Sequence, residues 1–206
     1  MFSIIVPVYN SSSTIVACLN SIKAQIFEDF EVIVVSDGSS DSTDDLCREC
    51  IGEDSRFLFI HRNHEGVSST RQYALNLSQK EWVVFLDADD TMPEDSLLKM
   101  AEVINSGIQV DLIAGNYTAL SGQTKQYIDL SFNSQYEYIR EFLSFGIVPT
   151  TVWGKAVRIS LIKQNNISFN TNIDICEDYL FLSKVLLKSQ YIRFIRSSLY
   201  NWTANS

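Results

Sequence analysis

Acidic side chains fall where short apolar runs end. Asp87, Asp89 and Asp90 follow the run Trp82 to Leu86, Asp37 follows Glu31 to Ser36, and Asn10 follows Ser3 to Val8. If those runs are strands of one sheet, their tips bring four carboxylates to a common rim. Like charges at that density raise one another's pKa and destabilise the fold unless a cation or a donor-rich ligand neutralises them. A divalent metal meets that demand. Hard oxygen ligands completed by waters and phosphate oxygens suit Mg²⁺, and the same set accepts Mn²⁺. Taken singly, each feature also has a structural reading. Asp-Gly-Ser is a common turn, Asp89 or Asp90 can cap a helix that follows Pro93, and Asn10 can be a loop residue or cap. Their shared position at strand ends weighs toward a ligand site.

The elements that must position these groups are legible in the first half. Ser3 to Val8, Glu31 to Ser36, Phe57 to His61, Trp82 to Leu86 and Leu112 to Gly115 are near-continuous in Val, Ile, Leu and Phe, the pattern of strands buried on both faces of a parallel sheet. Between them, Ser13 to Ala24 places Ile15, Cys18, Leu19 and Ile22 at helical spacing after a serine cap. Glu94 to Asn105 does the same with Leu97, Leu98, Ala101 and Ile104, with Pro93 and Glu94 suited to its first turn. Alternating strand and helix predicts right-handed crossovers, hence an α/β fold with an open, mostly parallel sheet flanked by helices and ligands at the strands' carboxyl ends. After about Tyr117 the rhythm changes. Ser121-Gly122-Gln123-Thr124 reads as a turn, 136–145 and 178–188 as helices, 152–158 as an extended segment and 191–195 as a last strand. We expect residues 1–117 to form the ligand-binding α/β half and 118–206 a second half of the same domain, shaping the other side of a cleft.

Composition narrows the class. The chain has 206 residues, 46% of them hydrophobic and 20% charged, as an ordinary globular domain does. No apolar stretch approaches the roughly 18 residues that cross a bilayer. The start lacks a basic region and a cleavage site, so no signal peptide is expected and the protein is placed in the cytoplasm. Net charge is −9, concentrated in residues 1–110, and no basic footprint for nucleic acid is present. Cys47 and Cys50 have C-x-x-C spacing, but no second ligand pair accompanies them and they fall in a helix starting near Ser42, so reduced thiols are expected. Neither G-x-G-x-x-G nor G-x-x-x-x-G-K-[ST] occurs, so a phosphate-bearing ligand here would need metal rather than a glycine cradle.

Pro7-Val8-Tyr9-Asn10, Asp37-Gly38-Ser39-Ser40-Asp41-Ser42-Thr43, Asn63 to Arg71, Asp87-Ala88-Asp89-Asp90 and Glu177-Asp178 resemble, in order and separation, the motifs of the family 2 glycosyltransferases. The resemblance covers nearly the whole chain. It implies the nucleotide-diphospho-sugar transferase-like, A-type glycosyltransferase fold, a DxD metal motif, and inversion at the anomeric carbon. By position it implies that Pro7, Val8 and Tyr9 border the nucleotide, with Tyr9 stacking on the base and Asp37 accepting from its ring N–H, a contact suited to uracil. Asp87 with Ala88 would meet the ribose, and Asp89 would ligate Mn²⁺ or Mg²⁺ bridging the diphosphate, with Asp90 behind it. Arg71 matches an arginine near the nucleotide; alternatively it is a helix-surface arginine pairing a strand-end carboxylate. Glu177 and Asp178 match the acidic pair of the catalytic centre. Asp178 would be the general base across the cleft from the metal, or else an N-cap of its helix with Glu177 in support. Trp153-Gly154-Lys155 resembles a Trp-x-Lys segment in which Lys155 approaches acceptor or diphosphate; the alternative is a buried tryptophan beside a surface lysine.

The chain departs from the pattern at Ser11 to Thr14, where a glutamate is common, at the stretched Asn63-His64-Glu65-Gly66, and at Arg71-Gln72. The leading expectation is a metal-dependent inverting hexosyl- or N-acetylhexosaminyl-transferase. It would move sugar from a UDP-sugar to a hydroxyl of a glycan or lipid-linked acceptor, for surface polysaccharide synthesis. A catalytically lapsed nucleotide-sugar-binding module is the alternative. A sugar nucleotidyltransferase fits less well, because residues 7–14 contain no Lys or Arg for a triphosphate. The end after Tyr200-Asn201-Trp202 leaves open peripheral membrane association, at the inner face, through a missing C-terminal part.

Overall fold

In the computed structural model, which describes residues 1–204 apart from 123 and 174, the apolar runs of the first half pair as a parallel sheet. β1 (Phe2–Val8), β2 (Phe30–Asp37), β3 (Phe57–Arg62) and β4 (Trp82–Phe85) lie in the order β3-β2-β1-β4. Every residue of β1 is buried, because both faces of the sheet are covered. Phe2, Ile4, Val6 and Val8 pack with α1 (Ile15–Lys23), α2 (Thr43–Ile51) and α4 (Ser96–Asn105). Ile5, Ile33 and Val35 face the other layer, built from α3 (Val67–Leu77), α5 (Gln135–Leu143), α6 (Ile159–Gln164) and α7 (Glu177–Lys188). The expected apolar stripe of α1, Ile15, Cys18, Leu19 and Ile22, is its buried face. Among the described residues no helix is long and apolar enough to cross a membrane.

The sheet continues through the second half. β5 (Leu112–Ser121) runs six residues beyond the expected strand end, and β6 (Thr124–Ile128) returns along it, so the expected turn at 121–124 is a hairpin connection, with Gln123 outside the described residues. β7 (Lys155–Arg158) inserts antiparallel between β4 and β5. β8 (Ile192–Thr203) pairs parallel with β5, far longer than the five residues expected. Its polar Arg, Ser and Asn positions hid the strand, since among its residues only Ile192, Leu199 and Tyr200 are deeply buried. Gly115 is required where β5 and β8 meet: a Cβ there would come 2.3 Å from Leu199 Cδ1. Sequence reading also missed β6 and α6, which are short, and did not delimit α3. The helix after Pro93 begins at Ser96, not in Pro93-Glu94, so neither Asp89 nor Asp90 caps it. All four cysteines are free, and Cys47 and Cys50 lie in α2 as expected, burial pushing the Cys47 thiol up to about 12.

Asp90 serves the fold. It is 3% exposed, and its carboxylate accepts hydrogen bonds from Tyr200 Oη and Thr203 N, both at 2.6 Å. The end of β8 is thereby strapped to the loop after β4, beside the Thr91–Asn201 bridge.

α7 is held by Phe181, fully buried, stacked on Phe169 at 4.1 Å between centroids and edge-on to Phe85 at the end of β4. Phe181→Ala should cost about 3–5 kcal/mol through lost burial and a residual cavity. Urea unfolding should show this as a lowered midpoint at unchanged slope.

Candidate active site

The loops after β1 and β2 are fastened to each other before any ligand enters. Asn10, in the left-handed region with φ 46°, accepts from Ser40 N at 2.8 Å through its side chain, and Ser11 N donates to Thr43 Oγ1 at 2.8 Å. Gly38 allows the second loop to pass close to the third: a Cβ there would lie 2.8 Å from His64 N. Asp37 is buried and ties down the entry to α3, accepting from Glu65 N at 2.8 Å and Gly66 N at 2.9 Å. Tyr9 is left 49% exposed, its ring stacked on His64 at 4.5 Å. Pro7, Val8, Tyr9, Asp37 and His64 line a cavity of about 140 Å³. A larger one, about 420 Å³, shares Pro7 and Tyr9 and extends to Arg71, Asp87, Ala88 and Asp89. The residues expected to border a nucleotide thus do line adjoining cavities at the carboxyl ends of β1, β2 and β4.

The charge at this rim is balanced differently from the sequence expectation. Asp37 is turned toward the α3 entry and Asp90 lies under β8, so four carboxylates do not converge. Instead Arg71, only 4% exposed, reaches from α3 to one of them, Asp87, and to Glu177 and Asp178. Its Nη2 donates to Asp87 Oδ1 at 2.8 Å, and its Nη1 to Glu177 Oε1 at 2.9 Å and Asp178 Oδ1 at 2.8 Å. Burial pulls the guanidinium down, but Asp87 and Asp178 outweigh it and push it up, so it stays charged. The helix-surface alternative for Arg71 is corrected: it does pair a strand-end carboxylate, but as a buried residue.

Asp178 is not an N-cap. α7 starts at Glu177, its cap is Cys176 in the left-handed region, and both acids sit in the first turn, where the helix dipole favours them. Besides its bond to Arg71, Asp178 accepts from Val152 N at 3.1 Å on Oδ2. Burial pushes its carboxyl up to about 6 despite the adjacent guanidinium. Lys155 approaches neither cavity and is no surface residue. It is 4% exposed, and its Nζ donates to the carbonyls of Thr151 at 2.8 Å, Trp153 at 3.2 Å and Pro149 at 3.4 Å. Burial pulls its pKa down to about 7. Trp153 is buried as expected, stacked on Tyr200 at 4.4 Å. Beyond this loop lies a groove of about 430 Å³ whose walls include Tyr117, Phe145, Thr151, Trp153 and Trp202. The Thr151 hydroxyl is buried there without a partner among the described residues. Val152 and Thr151 had no signal in the sequence, and His64 stood there only within the stretched Asn63-His64-Glu65-Gly66, since their contacts arise from loops meeting across the fold.

For a metal, the donor set offers Asp89 and the second oxygen of Asp87. Among the described residues no cluster of three or more His, Cys, Asp or Glu closes into a protein-only cage. Two hard oxygen donors on an open cavity fit a Mg²⁺ or Mn²⁺ that takes its remaining ligands from water and a phosphate-bearing ligand.

The family model for Glycosyl transferase family 2 matches residues 3–164. The putative glycosyltransferase EpsH of Bacillus subtilis is 28% identical over 97% of this chain and 60% of its own length. The poly(ribitol-phosphate) beta-glucosyltransferase of Bacillus spizizenii is 29% identical over 92% and 30%. The crystal structure of S. aureus TarS 1–349 in complex with UDP-GlcNAc superposes with a TM-score of 0.84 at 27% identity, covering 100% of this chain and 59% of that one. The chain thus spans at most 60% of the length of these relatives. With the motifs in place at the strand tips, the chain belongs to glycosyltransferase family 2 and has the A-type fold.

Proposed function

We propose that this chain is the catalytic unit of an inverting glycosyltransferase that moves a hexosyl or N-acetylhexosaminyl group from a UDP-sugar to an acceptor hydroxyl of a cell-surface glycan. The observation that carries the reading is the Arg71 bridge: a single buried guanidinium holds the strand-tip Asp87 and the helix-borne Asp178 at a fixed separation. A displacement at the anomeric carbon needs that geometry, with a base on one face and the leaving diphosphate on the other. The UDP-GlcNAc bound by S. aureus TarS and the poly(ribitol-phosphate) acceptor in the name of the Bacillus spizizenii relative support the donor and acceptor classes.

In this reading the base stacks on Tyr9, beside His64, and its ring N–H finds a remaining lone pair of Asp37, while the diphosphate occupies the cavity bounded by Arg71, Asp87, Ala88 and Asp89. Asp89 and Asp87 would hold Mn²⁺ or Mg²⁺, which supplies Lewis-acid neutralisation of the departing diphosphate. Asp178 takes the acceptor proton as the hydroxyl oxygen bonds to the anomeric carbon and the bond to the diphosphate breaks, inverting configuration. Glu177 shares Arg71 and keeps Asp178 oriented. The acceptor enters by the groove beside Val152, where aromatic rings suit sugar faces. We read the reaction as cytoplasmic, a reading with which the four free thiols are compatible. A nucleotidyltransferase is disfavoured because Arg71, which lines the larger cavity, is already engaged by three carboxylates, and among the described residues no second cation lines that cavity to receive a triphosphate.

Calorimetric titration with UDP should show binding that requires Mn²⁺ and is lost in Asp89→Asn with the fold intact; metal-independent binding of equal strength would remove the metal from the reading. Asp178→Asn should lower UDP release from UDP-GlcNAc by about 10²–10⁴-fold while retaining UDP affinity; binding without turnover in the wild type under every acceptor would instead favour the lapsed module. A base must be deprotonated, and Asp178 is pushed up to about 6 by burial. The logarithm of kcat/KM should therefore fall with unit slope below about pH 6 and level off above it.

A further inference from the structure

A buried lysine that lines neither of the cavities at the strand tips calls for an account. Desolvating an ammonium costs several kcal/mol, and a methionine would fill the same space without that cost. Lys155 spends all three of its N–H donors on the carbonyls of Pro149, Thr151 and Trp153, so it dictates the path of the loop rather than any ligand contact. The Thr151–Val152 peptide is the informative one. Its carbonyl accepts from Lys155 Nζ at 2.8 Å and its N–H donates to Asp178 Oδ2 at 3.1 Å. A trans peptide is a rigid plane with the two groups pointing in opposite directions, so one peptide unit spans the cation and the carboxylate with its dipole aligned to both.

We infer that Lys155 is a positioning residue for Asp178, acting through the Thr151–Val152 peptide. The inference rests on the reading of Asp178 as the base. Asp178 has Arg71 on Oδ1 and Val152 N on Oδ2. The amide holds Oδ2 away from the guanidinium and leaves one lone pair of it for the acceptor proton. Without Lys155 the 149–153 loop is released, Val152 N withdraws, and the carboxylate is free to rotate and close a second bond on Arg71, where neither oxygen is presented to the acceptor. Lys155 also fixes Thr151 and Trp153, so the wall of the groove and the orientation of the base are set by one ammonium.

The test is a double-mutant cycle in the full chain with Lys155→Met, Asp178→Asn and the pair. It is read by UDP release from UDP-GlcNAc at saturating donor, by UDP affinity, and by amide hydrogen exchange over residues 149–153. Lys155→Met should lower kcat by about 10–100-fold with UDP affinity unchanged within about twofold, should add nothing in the Asp178→Asn background, and should speed exchange at Val152. Equal losses in both backgrounds, or wild-type kcat with unchanged exchange at Val152, overturn the inference. If Lys155→Met does not fold, Lys155→Ala with added methylammonium takes its place: recovery of kcat by methylammonium but not by equal sodium supports the role, and no recovery opposes it. Wild-type turnover in Asp178→Asn would overturn the reading of the base itself, and Val152 exchange would still report whether Lys155 holds the peptide.

Discussion

A buried guanidinium surrounded by three carboxylates is the constraint on which the rest of this site depends. Arg71 comes from α3, Asp87 from the tip of β4, and Glu177 and Asp178 from the first turn of α7, so one side chain ties three elements of the fold together. The pairing is the means by which so much charge is tolerated near the core. Removing one member of such a buried cluster typically costs about 3–5 kcal/mol, because the partners are left uncompensated. The cluster is also left with a net negative charge, and its Nε–H is buried with no partner among the described residues. A site built this way is held in place by electrostatics, with Asp89 on the rim of the same cavity.

Two further polar contacts work on the same principle at other edges of the site. Asp90, Tyr200 and Thr203 lock the end of β8 to the β4 loop, and Tyr200 in turn stacks on Trp153. Asp37 accepts with both oxygens from the amides that open α3, the helix that carries Arg71. In each case a residue that looks like ligand chemistry from its motif is engaged in holding a loop. The division of labour within Asp87-Ala88-Asp89-Asp90 follows from a turn just after β4, closed by Asp90 N donating to Asp87 O at 3.1 Å: the first three residues line the cavity and Asp90 meets the β8 strap.

The first half of the fold was legible because its signals are local. Continuous Val, Ile and Leu runs such as Ser3 to Val8 have no stable alternative to a strand covered on both faces, and the stripe Ile15, Cys18, Leu19 and Ile22 can be buried only as a helix. The second half was less legible because β5 and β8 draw their pairing from each other: Asn201 and Trp202 read as polar or terminal residues until Thr118 and Ala119 lie beside them. Ser96, rather than Pro93, opens α4 because a turn and an isolated bridge at Thr91 come first.

By itself, the sequence determined the strand and helix order, the placement of Asp37, Asp87 and Asp89 at strand tips, and the motif set that identifies the family. These follow from hydrophobic periodicity and from residue types at short spacing, which act within a few positions. Only the tertiary structure decided which carboxylates share a cation, that Lys155 is interior, and that Val152 holds Asp178. Arg71 and Asp178 are 107 positions apart and Asp90 and Tyr200 are 110 apart. Contacts at that range depend on how α3, α7 and β8 pack against the sheet, a free energy summed over two apolar layers and carried by no local pattern of residues.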